Sequence, residues 1–214
     1  MTENGGDKIP FTFRIQKVID ALRDGVTFTR YYHVKEIPEK LANRLIAKLR
    51  KKGKLGYKEG GLLLEYERSK LYKRYNKIGS RILNVASGMD GLPQSIFGKE
   101  NVTMLSRESD RYFRPYDQYT HGIQRSPKVD ADMHKIPFEN KSFSTVLFNG
   151  IQDFDAGLLS EASRVLKSGG YFIMTARGIN GVGVNFEKKV EQFGFRLREN
   201  NTGVLLRSIV LEKL

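Results

Sequence analysis

Short apolar runs alternate with helix-like segments over the last two thirds of the chain, and this alternation constrains the fold more than any other feature. The apolar runs are RILNV, NVTML, TVLFN and YFIMTA. Between the last two lies LLSEASRVLKSGG, which has helical periodicity and ends in two glycines. Strands and helices that alternate at such spacings predict a parallel, doubly wound sheet with ligands at the carboxyl ends of its strands.

A glycine-containing turn follows the first of these strands, in RILNVASGMDG. Glycine has no Cβ, so backbone amide groups in such a turn can approach a nucleotide-like ligand closely. One such turn is a weak indication when taken alone. Its position between an apolar strand and a helix-like segment predicts a cofactor-binding loop.

Three segments follow one another along the chain: RILNVASGMDG, DMHKIPFENKSFSTVLFNG and EASRVLKSGGYFIM. Together they resemble the class I, Rossmann-like S-adenosylmethionine-dependent methyltransferases. The first resembles the first motif of that family, the second its D-x-x-x-L-P-F-x-x-x-S-F-D-x-V stretch, and the third its E-x-x-R-V-L-K-P-G-G motif. The segment from NFEKKVEQFGF to the end resembles their terminal helix, Gly-Phe turn and hairpin. The resemblance covers residues 66–214 and implies a mostly parallel sheet that ends in an antiparallel hairpin.

The resemblance implies S-adenosylmethionine as the cofactor and assigns residues to it. The first motif would contact the methionine part of the cofactor. Asp132 and Met133 would contact its adenine, and Phe148 and Asn149 would lie near its reactive methyl group. The full set of implied positions is Asn84, Ala86, Ser87, Gly88, Gly91, Ser106, Glu108, Asp132, Met133, Phe148 and Asn149. A sulfonium methyl group is already activated, so the protein mainly aligns the nucleophile with it. The sequence identifies no catalytic base.

Several positions depart from the family's pattern. In the first motif, Asn84 replaces the usual acidic residue and Asp90 replaces the third glycine. Ser106 stands where the family has the acid that binds the ribose, and Ser144 replaces the Asp of S-F-D. Pro93 should also shorten the following helix. These departures favour a second interpretation, in which a degenerate methyltransferase fold has lost catalysis and serves as a nucleic-acid-binding or regulatory protein.

The residues before Gly79 carry most of the net positive charge, with 19 Lys and Arg against 9 Asp and Glu. The chain has 37 Lys and Arg against 24 Asp and Glu, a formal net charge of +13. The stretch from Lys40 to Lys58 contains no acidic residue. Such a density of like charge favours an anionic partner or a solvent-exposed face.

The same region predicts a small helical module. FTFRIQKVIDALRDG has the apolar spacing of a helix, and a second helix runs from Pro38 to Gly53 with Leu41, Leu45 and Leu49 on one face. The following KLGYKEGGLLLEY predicts a hairpin around Glu59-Gly60-Gly61. Helices followed by a hairpin resemble a winged helix-turn-helix domain.

In such a domain, the basic residues would contact nucleic acid. The candidates are Lys40, Arg44, Lys48, Lys51, Lys52 and Lys58. A solvated basic face, or one that contacts protein, would show the same pattern. The choice between DNA and RNA stays open.

The predicted organisation is a tail at residues 1–8, a winged-helix-like module at 9–66 and a methyltransferase-like domain at 67–214. The first interpretation is a methyltransferase that acts on or near nucleic acid. A small-molecule methyltransferase whose basic module contacts protein is a third. No cysteine is present and the three histidines are scattered, so we expect no metal site. Without a signal sequence or an apolar run of about 18 residues, we expect a cytoplasmic protein of undetermined oligomeric state.

A few further residues carry alternative roles. RYFRPYDQYTHGIQR could stack on bases, cover the cofactor or lie on the surface without a ligand. His121 could act as a base, or simply be exposed. Asp153 and Asp155 could face the substrate or cap the next helix.

Overall fold

The computed structural model describes residues 37–76, 79–85, 92–106, 128–149, 155–176, 186–202 and 206–214. Five helices and seven strands lie within these ranges. In chain order they are α1 (Glu39–Lys52), α2 (Tyr57–Tyr75), β1 (Ile82–Val85), α3 (Leu92–Phe97), β2 (Val102–Ser106), β3 (Lys128–Asp130), β4 (Phe143–Asn149), α4 (Ala156–Val165), β5 (Leu166–Ala176), α5 (Phe186–Glu191), β6 (Phe195–Thr202) and β7 (Arg207–Lys213).

The seven strands form one sheet in the order β3-β2-β1-β4-β5-β7-β6. The first five are parallel, whereas β7 is antiparallel to both β5 and β6. The predicted α/β class, the mostly parallel sheet and the C-terminal antiparallel hairpin are therefore confirmed. The strand order reverses between β1 and β4, which is the position where open α/β sheets bind ligands.

Apolar side chains cover both faces of the sheet. On one face Phe148 and Phe172 pack in a cluster that includes buried residues of α4 and α5. On the other, Leu147 and Ile173 pack with Tyr72 of α2 and Leu92 of α3. Since successive strand residues point to opposite faces, the near-continuous apolar runs in the sequence match strands that are buried on both sides.

The predicted hairpin at Glu59-Gly60-Gly61 is wrong, because residues 57–75 form the single helix α2. Glu59 lies in its first turn and accepts a hydrogen bond from the backbone N–H of Gly56 at 3.1 Å, which caps the helix start. Leu62 and Leu63 then pack against α1, while Leu64 packs with the sheet. Helix α2 thus buries more than one face, and this burial outweighs the turn preference of the two glycines.

The remaining parts of the predicted winged helix and the domain boundaries stay predictions. The proposed first helix in residues 11–25 lies outside the described residues. Helix α2 runs without a break through residues 66 and 67, where the sequence predicts a boundary. Its first half packs against α1 and its second half against the sheet.

Helix ends elsewhere agree more closely with the sequence. Helix α1 ends at Lys52 and is capped by Gly53, as predicted; Gly53 has φ 67° and donates its N–H to the Leu49 carbonyl. Helix α3, which contains Pro93, is six residues long. Helix α4 ends at Val165, before the predicted LKSGG, because β5 begins at Leu166. A Cβ at Gly170 would lie 2.8 Å from the carbonyl oxygen of Ser144, so the chain needs glycine there.

The substitution Gly60→Ala tests whether residues 57–75 form a helix or the hairpin that the sequence predicts. Gly60 lies in α2, and no atom lies within 4 Å of an added Cβ. We therefore expect the alanine variant to gain about 0.5–1 kcal/mol in the free energy of unfolding, measured by urea denaturation. A loss of stability would instead support the turn. Gly170→Ala is the matched contrast, with an expected loss of about 1–3 kcal/mol because of its close backbone contacts.

Candidate functional site

The candidate site is the crevice at the carboxyl ends of the parallel strands. Val85, the last residue of β1, pairs with Phe148 of β4. Strand β4 continues to Asn149, one residue further, and Asn149 pairs with Thr175 of β5. Where the strand order reverses, the segments that follow two adjacent parallel strands turn to opposite faces of the sheet, and a crevice opens between them. Asn149 therefore lies at the edge where a ligand would enter.

The structure places some of the predicted cofactor residues at this edge. Asn84 is completely buried in β1, where it pairs in register with Leu147. Phe148 is 1% exposed and packs in the main core, so it supports the edge from inside. Ser106 is the last residue of β2 and pairs with Asp130 of β3. The other predicted cofactor residues between β1 and β3 lie outside the described residues: Ala86, Ser87, Gly88, Gly91 and Glu108.

Asp132 and Met133 follow β3 and form one end of the edge. Met133 is half-buried and packs against the main core, whereas 36% of the Asp132 side chain is exposed. The Asp132 carboxylate accepts hydrogen bonds from the backbone N–H of His134 at 2.9 Å and pairs with the His134 ring at 3.0 Å. A half-buried apolar side chain beside a carboxylate is a surface that suits a purine ring with an exocyclic amino group.

His134 connects this segment to the start of α4. Its Nε2 lies 2.7 Å from the carboxylate of Asp155. Asp155 is the N-cap of α4 and accepts from the backbone N–H of Gly157 at 2.6 Å. Burial raises the pKa of Asp155, but the hydrogen bonds from Gly157 and His134 outweigh it and hold the pKa below its usual value. The sequence predicts two alternative roles for Asp155, contact with the substrate or capping of the helix, and the structure confirms the cap.

Glu161 and Arg164 of α4 hold the loop that follows Met133. Arg164 donates hydrogen bonds to the carbonyl oxygens of Ile136 and Phe138, both at 2.7 Å. Glu161 accepts from the backbone N–H of Ile136 at 2.7 Å and pairs with Arg164. The Glu and Arg of the EASRVLKSGG segment are thus structural, because they fix the loop that follows Asp132 and Met133.

A series of buried, hydrogen-bonded side chains extends from α2 to Asn149, and the sequence did not predict it. Arg68 pairs with Glu65, with 3.0 Å between the guanidinium nitrogen and the carboxylate oxygen, and donates to the Tyr72 hydroxyl. The Tyr72 hydroxyl lies 3.4 Å from the hydroxyl of Thr175, which donates to Oδ1 of Asn149 at 3.0 Å. The spacing of Glu65, Arg68 and Tyr72 along one helix face was the available signal, but it is equally typical of a solvated face.

The predicted basic residues of α1 lie mostly in solvent. Lys40, Arg44, Lys51 and Lys52 are exposed, on positions that turn away from the buried Ala42 and Leu45. Lys48 differs from them, because it forms an ion pair with Glu59 of α2. The pair lowers the pKa of Glu59 below its usual value, chiefly through the hydrogen bond from Lys48. The side chain of Lys58 lies outside what the structure describes.

Several of the remaining sequence candidates also fall outside the described residues. These are the aromatic and basic stretch that contains Tyr112 and His121, together with Asp153. Among the residues that are described, no group of three His, Cys, Asp or Glu side chains is placed to hold a metal ion. No described helix is long and apolar enough to cross a membrane.

Two half-buried glutamates, Glu161 and Glu67, should make the free energy of unfolding depend on pH in opposite directions. Arg164 lowers the pKa of Glu161 by a hydrogen bond, so its contribution is present at neutral pH and lost as the pH falls below about 4.5. Burial raises the pKa of Glu67, so its carboxylate is destabilising at neutral pH. In urea unfolding from pH 3 to 7, Glu161→Gln should lose stability at pH 7 and Glu67→Gln should gain it. The same sign for both variants would contradict these assignments.

Comparison with known proteins finds a similarity to one protein family. Residues 103–174, from β2 into β5, match the family model described as Methyltransferase domain. A comparison with curated protein sequences finds no match.

Solved structures share the fold. A SAM-dependent methyltransferase from Aquifex aeolicus is 15% identical, covering 78% of this chain and 98% of its own, with a TM-score of 0.56. A TehB-like SAM-dependent methyltransferase from Corynebacterium glutamicum is 18% identical over 82% of this chain and 97% of its own, with a TM-score of 0.52. The [4+2]-cyclase SpnF is 12% identical over 81% and 92%, with a TM-score of 0.56.

These comparisons confirm the resemblance at the level of the domain. Residues 103–174 are similar to a methyltransferase domain, the sheet has the fold of the S-adenosylmethionine-dependent methyltransferases described above, and together these similarities imply S-adenosylmethionine as the cofactor. The similarity to a cyclase shows that one fold can support different chemistry. The substrate must therefore be argued from this chain's own residues.

Proposed function

We propose that the protein transfers a methyl group from S-adenosylmethionine to an acceptor bound at the carboxyl edge of its sheet. The observation that carries the proposal is the match of residues 103–174 to a methyltransferase domain, since these residues build β2 to β5 around the switch point. Bound S-adenosylmethionine would supply an activated methyl group. The protein would bind, orient and shield the reactants.

The residues at the edge fit this cofactor. Asp132 offers a half-exposed carboxylate to an adenine amino group, and Met133 offers an apolar surface beside it. Asn149 lies at the other end, one residue beyond the last pair between β1 and β4. Arg164 and Glu161 keep the intervening loop in place through the carbonyl and N–H groups of Ile136. In this arrangement the chain aligns the reactants, and no described side chain needs to form a covalent bond.

Calorimetric titration of the full chain with S-adenosylmethionine and S-adenosylhomocysteine tests the proposal. We expect binding in the micromolar range for the wild type and a loss of binding for Gly88→Arg, which places a large side chain in the first motif. Gly60→Ala in α2 serves as the control and should bind normally. Absence of wild-type binding at near-millimolar ligand would refute the methyltransferase proposal and favour the degenerate fold.

We further propose that the acceptor is nucleic acid, or lies next to it. The support is the exposed basic face of α1, formed by Lys40, Arg44, Lys51 and Lys52. These side chains project from a helix that is anchored by its apolar face on α2. Such a face suits sequence-independent contact with phosphate groups.

Salt-dependent binding to oligonucleotides tests this second step. For duplex DNA, the slope of log K against log salt should fall by about 0.9 for each phosphate contact removed. Arg44→Glu/Lys51→Glu should weaken binding to labelled DNA or RNA and flatten this slope. Lys188→Glu/Lys189→Glu, on the exposed side of α5, makes the same change in charge and should have a smaller effect. Equal effects of both pairs, or no binding at low salt, would favour a small-molecule acceptor instead.

A further inference from the structure

The ring of His134 bridges two carboxylates beside the proposed cofactor site. Its Nδ1 lies 3.0 Å from Oδ1 of Asp132, and its Nε2 lies 2.7 Å from Oδ2 of Asp155. The same Asp132 oxygen accepts a hydrogen bond from the backbone N–H of His134 at 2.9 Å. Burial raises the pKa of Asp155, but hydrogen bonds from α4 and His134 hold it below its usual value, so this group is an ionised acceptor. Each ring nitrogen therefore faces an acceptor oxygen.

This arrangement determines the protonation state of the ring. A neutral imidazole has one N–H donor and one lone pair, whereas an imidazolium has two N–H donors. Since both nitrogens of His134 lie within hydrogen-bond distance of carboxylate oxygens, both must donate, and the bridging ring is an imidazolium. In a neutral ring, one nitrogen would direct its lone pair at a carboxylate oxygen, and that contact would become repulsive.

The contact of the ring with Asp155 is anchored more firmly than its contact with Asp132. Asp155 is the N-cap of α4, and its Oδ1 accepts from the backbone N–H of Gly157 at 2.6 Å. The ring lies against the same turn, because a Cβ on Gly157 would be only 3.1 Å from the Cδ2 atom of His134. We therefore expect that loss of one ring proton opens the contact with Asp132 and leaves the contact with Asp155.

We propose that His134 is a positioning residue, which as an imidazolium ties the Asp132 carboxylate to Asp155 and so fixes the proposed acceptor of the adenine amino group. Asp132 follows the short strand β3, whereas Asp155 is held by a helix. The ring thus connects a segment of the cofactor site to a rigid element. This inference rests on the proposed function, under which Asp132 contacts S-adenosylmethionine.

The affinity for the cofactor should then depend on pH. In the described part of the chain, the charged groups that contact the ring are Asp132 and Asp155. The three side chains are between 36% and 46% exposed, so water screens their interaction. Imidazole groups ordinarily titrate near pH ~6.5. As the pH rises through the titration of His134, the affinity for S-adenosylhomocysteine should fall about threefold, the size expected for partly exposed ion pairs.

Calorimetric titration of the full chain with S-adenosylhomocysteine, from about pH 5.5 to 8.5, tests this dependence. His134→Gln cannot carry a charge, so at low pH it should bind about threefold more weakly than the wild type, and at high pH about equally. The ratio of the two affinities cancels the titration of the ligand itself. Lys135→Gln removes an exposed positive charge from the next residue and should keep the wild-type profile.

Asp155→Ser separates the link to the ring from the helix cap. Serine caps a helix about as well as aspartate, but its hydroxyl is too short to reach Nε2 of His134. We expect this variant to keep the stability of the wild type and to bind S-adenosylhomocysteine about threefold more weakly at low pH. Wild-type affinity at low pH would show that the link to α4 does not position Asp132.

NMR of the ring N–H groups in the ¹⁵N-labelled full chain tests the bridge without ligand. At low pH, His134 should give two slowly exchanging signals, which are identified by their absence in His134→Gln, and Asp155→Ser should accelerate the exchange of one. Two signals that exchange as fast as those of a free imidazolium would contradict the bridge. The positioning role is overturned if the wild type and His134→Gln bind with the same pH profile. If the wild type binds no ligand at any pH, the proposed function fails and the role in cofactor binding fails with it, whereas the ring signals still show whether the bridge forms.

Discussion

Glu65→Gln is expected to destabilise the protein by about 3–5 kcal/mol, the cost of leaving a buried charge without its partner. The carboxylate of Glu65 accepts from Arg68 through both oxygens, each at 3.0 Å. The two side chains are only 8% and 3% exposed, so water cannot replace the lost charge. The same change in an exposed ion pair would have little effect.

Urea unfolding of the full chain measures this effect, and two further variants control it. Glu39→Gln removes the partner of Lys70 in a pair with side chains 71% and 59% exposed, and it should remain close to the wild type. Glu65→Met/Arg68→Met removes both charges and should recover most of the lost stability. If Glu65→Gln loses as little as Glu39→Gln, the pair is not buried in solution.

Patterns that depend on neighbouring residues allowed much of the sheet to be predicted. The runs RILNV and TVLFN are each apolar at three of five positions without strict alternation, which is typical of parallel strands buried on both faces. Gly53 combines a helical pattern before it with glycine's tolerance of positive φ. Both patterns depend only on residues that are close in sequence, so they can be interpreted without knowledge of the tertiary fold.

The errors arose where distant parts of the chain decide the structure. Gly60 and Gly61 predict a turn locally, but the leucines that follow pack against α1 and the sheet and favour a helix. Likewise, Glu65 and Arg68 have the spacing of an exposed pair, and only the packing of α2 on the sheet reveals that they are buried. The place of Asn149 at the end of a strand could be predicted from its motif, but its hydrogen bond with Thr175, and the contact of Thr175 with Tyr72, could not.

Arg164→Met should lower the free energy of unfolding by about 2–4 kcal/mol, because it leaves two carbonyl groups without their donor. These are the carbonyls of Ile136 and Phe138, which the guanidinium binds at 2.7 Å each. Methionine can replace the aliphatic part of the side chain but donates no hydrogen bond. Glu161 would also lose its charged partner, while its bond to the Ile136 N–H remains.

The same substitution should weaken binding of S-adenosylhomocysteine about tenfold, or 1.4 kcal/mol. The loop that Arg164 holds follows directly after Asp132 and Met133, the two residues proposed to contact the cofactor, so its release lets this side of the crevice move. Calorimetry at a temperature where the variant remains folded measures this loss. Arg196→Met, which removes a 53% exposed arginine from a pair with Glu212, should leave the affinity unchanged. A loss of stability without a loss of affinity would show that the loop does not form part of the cofactor site.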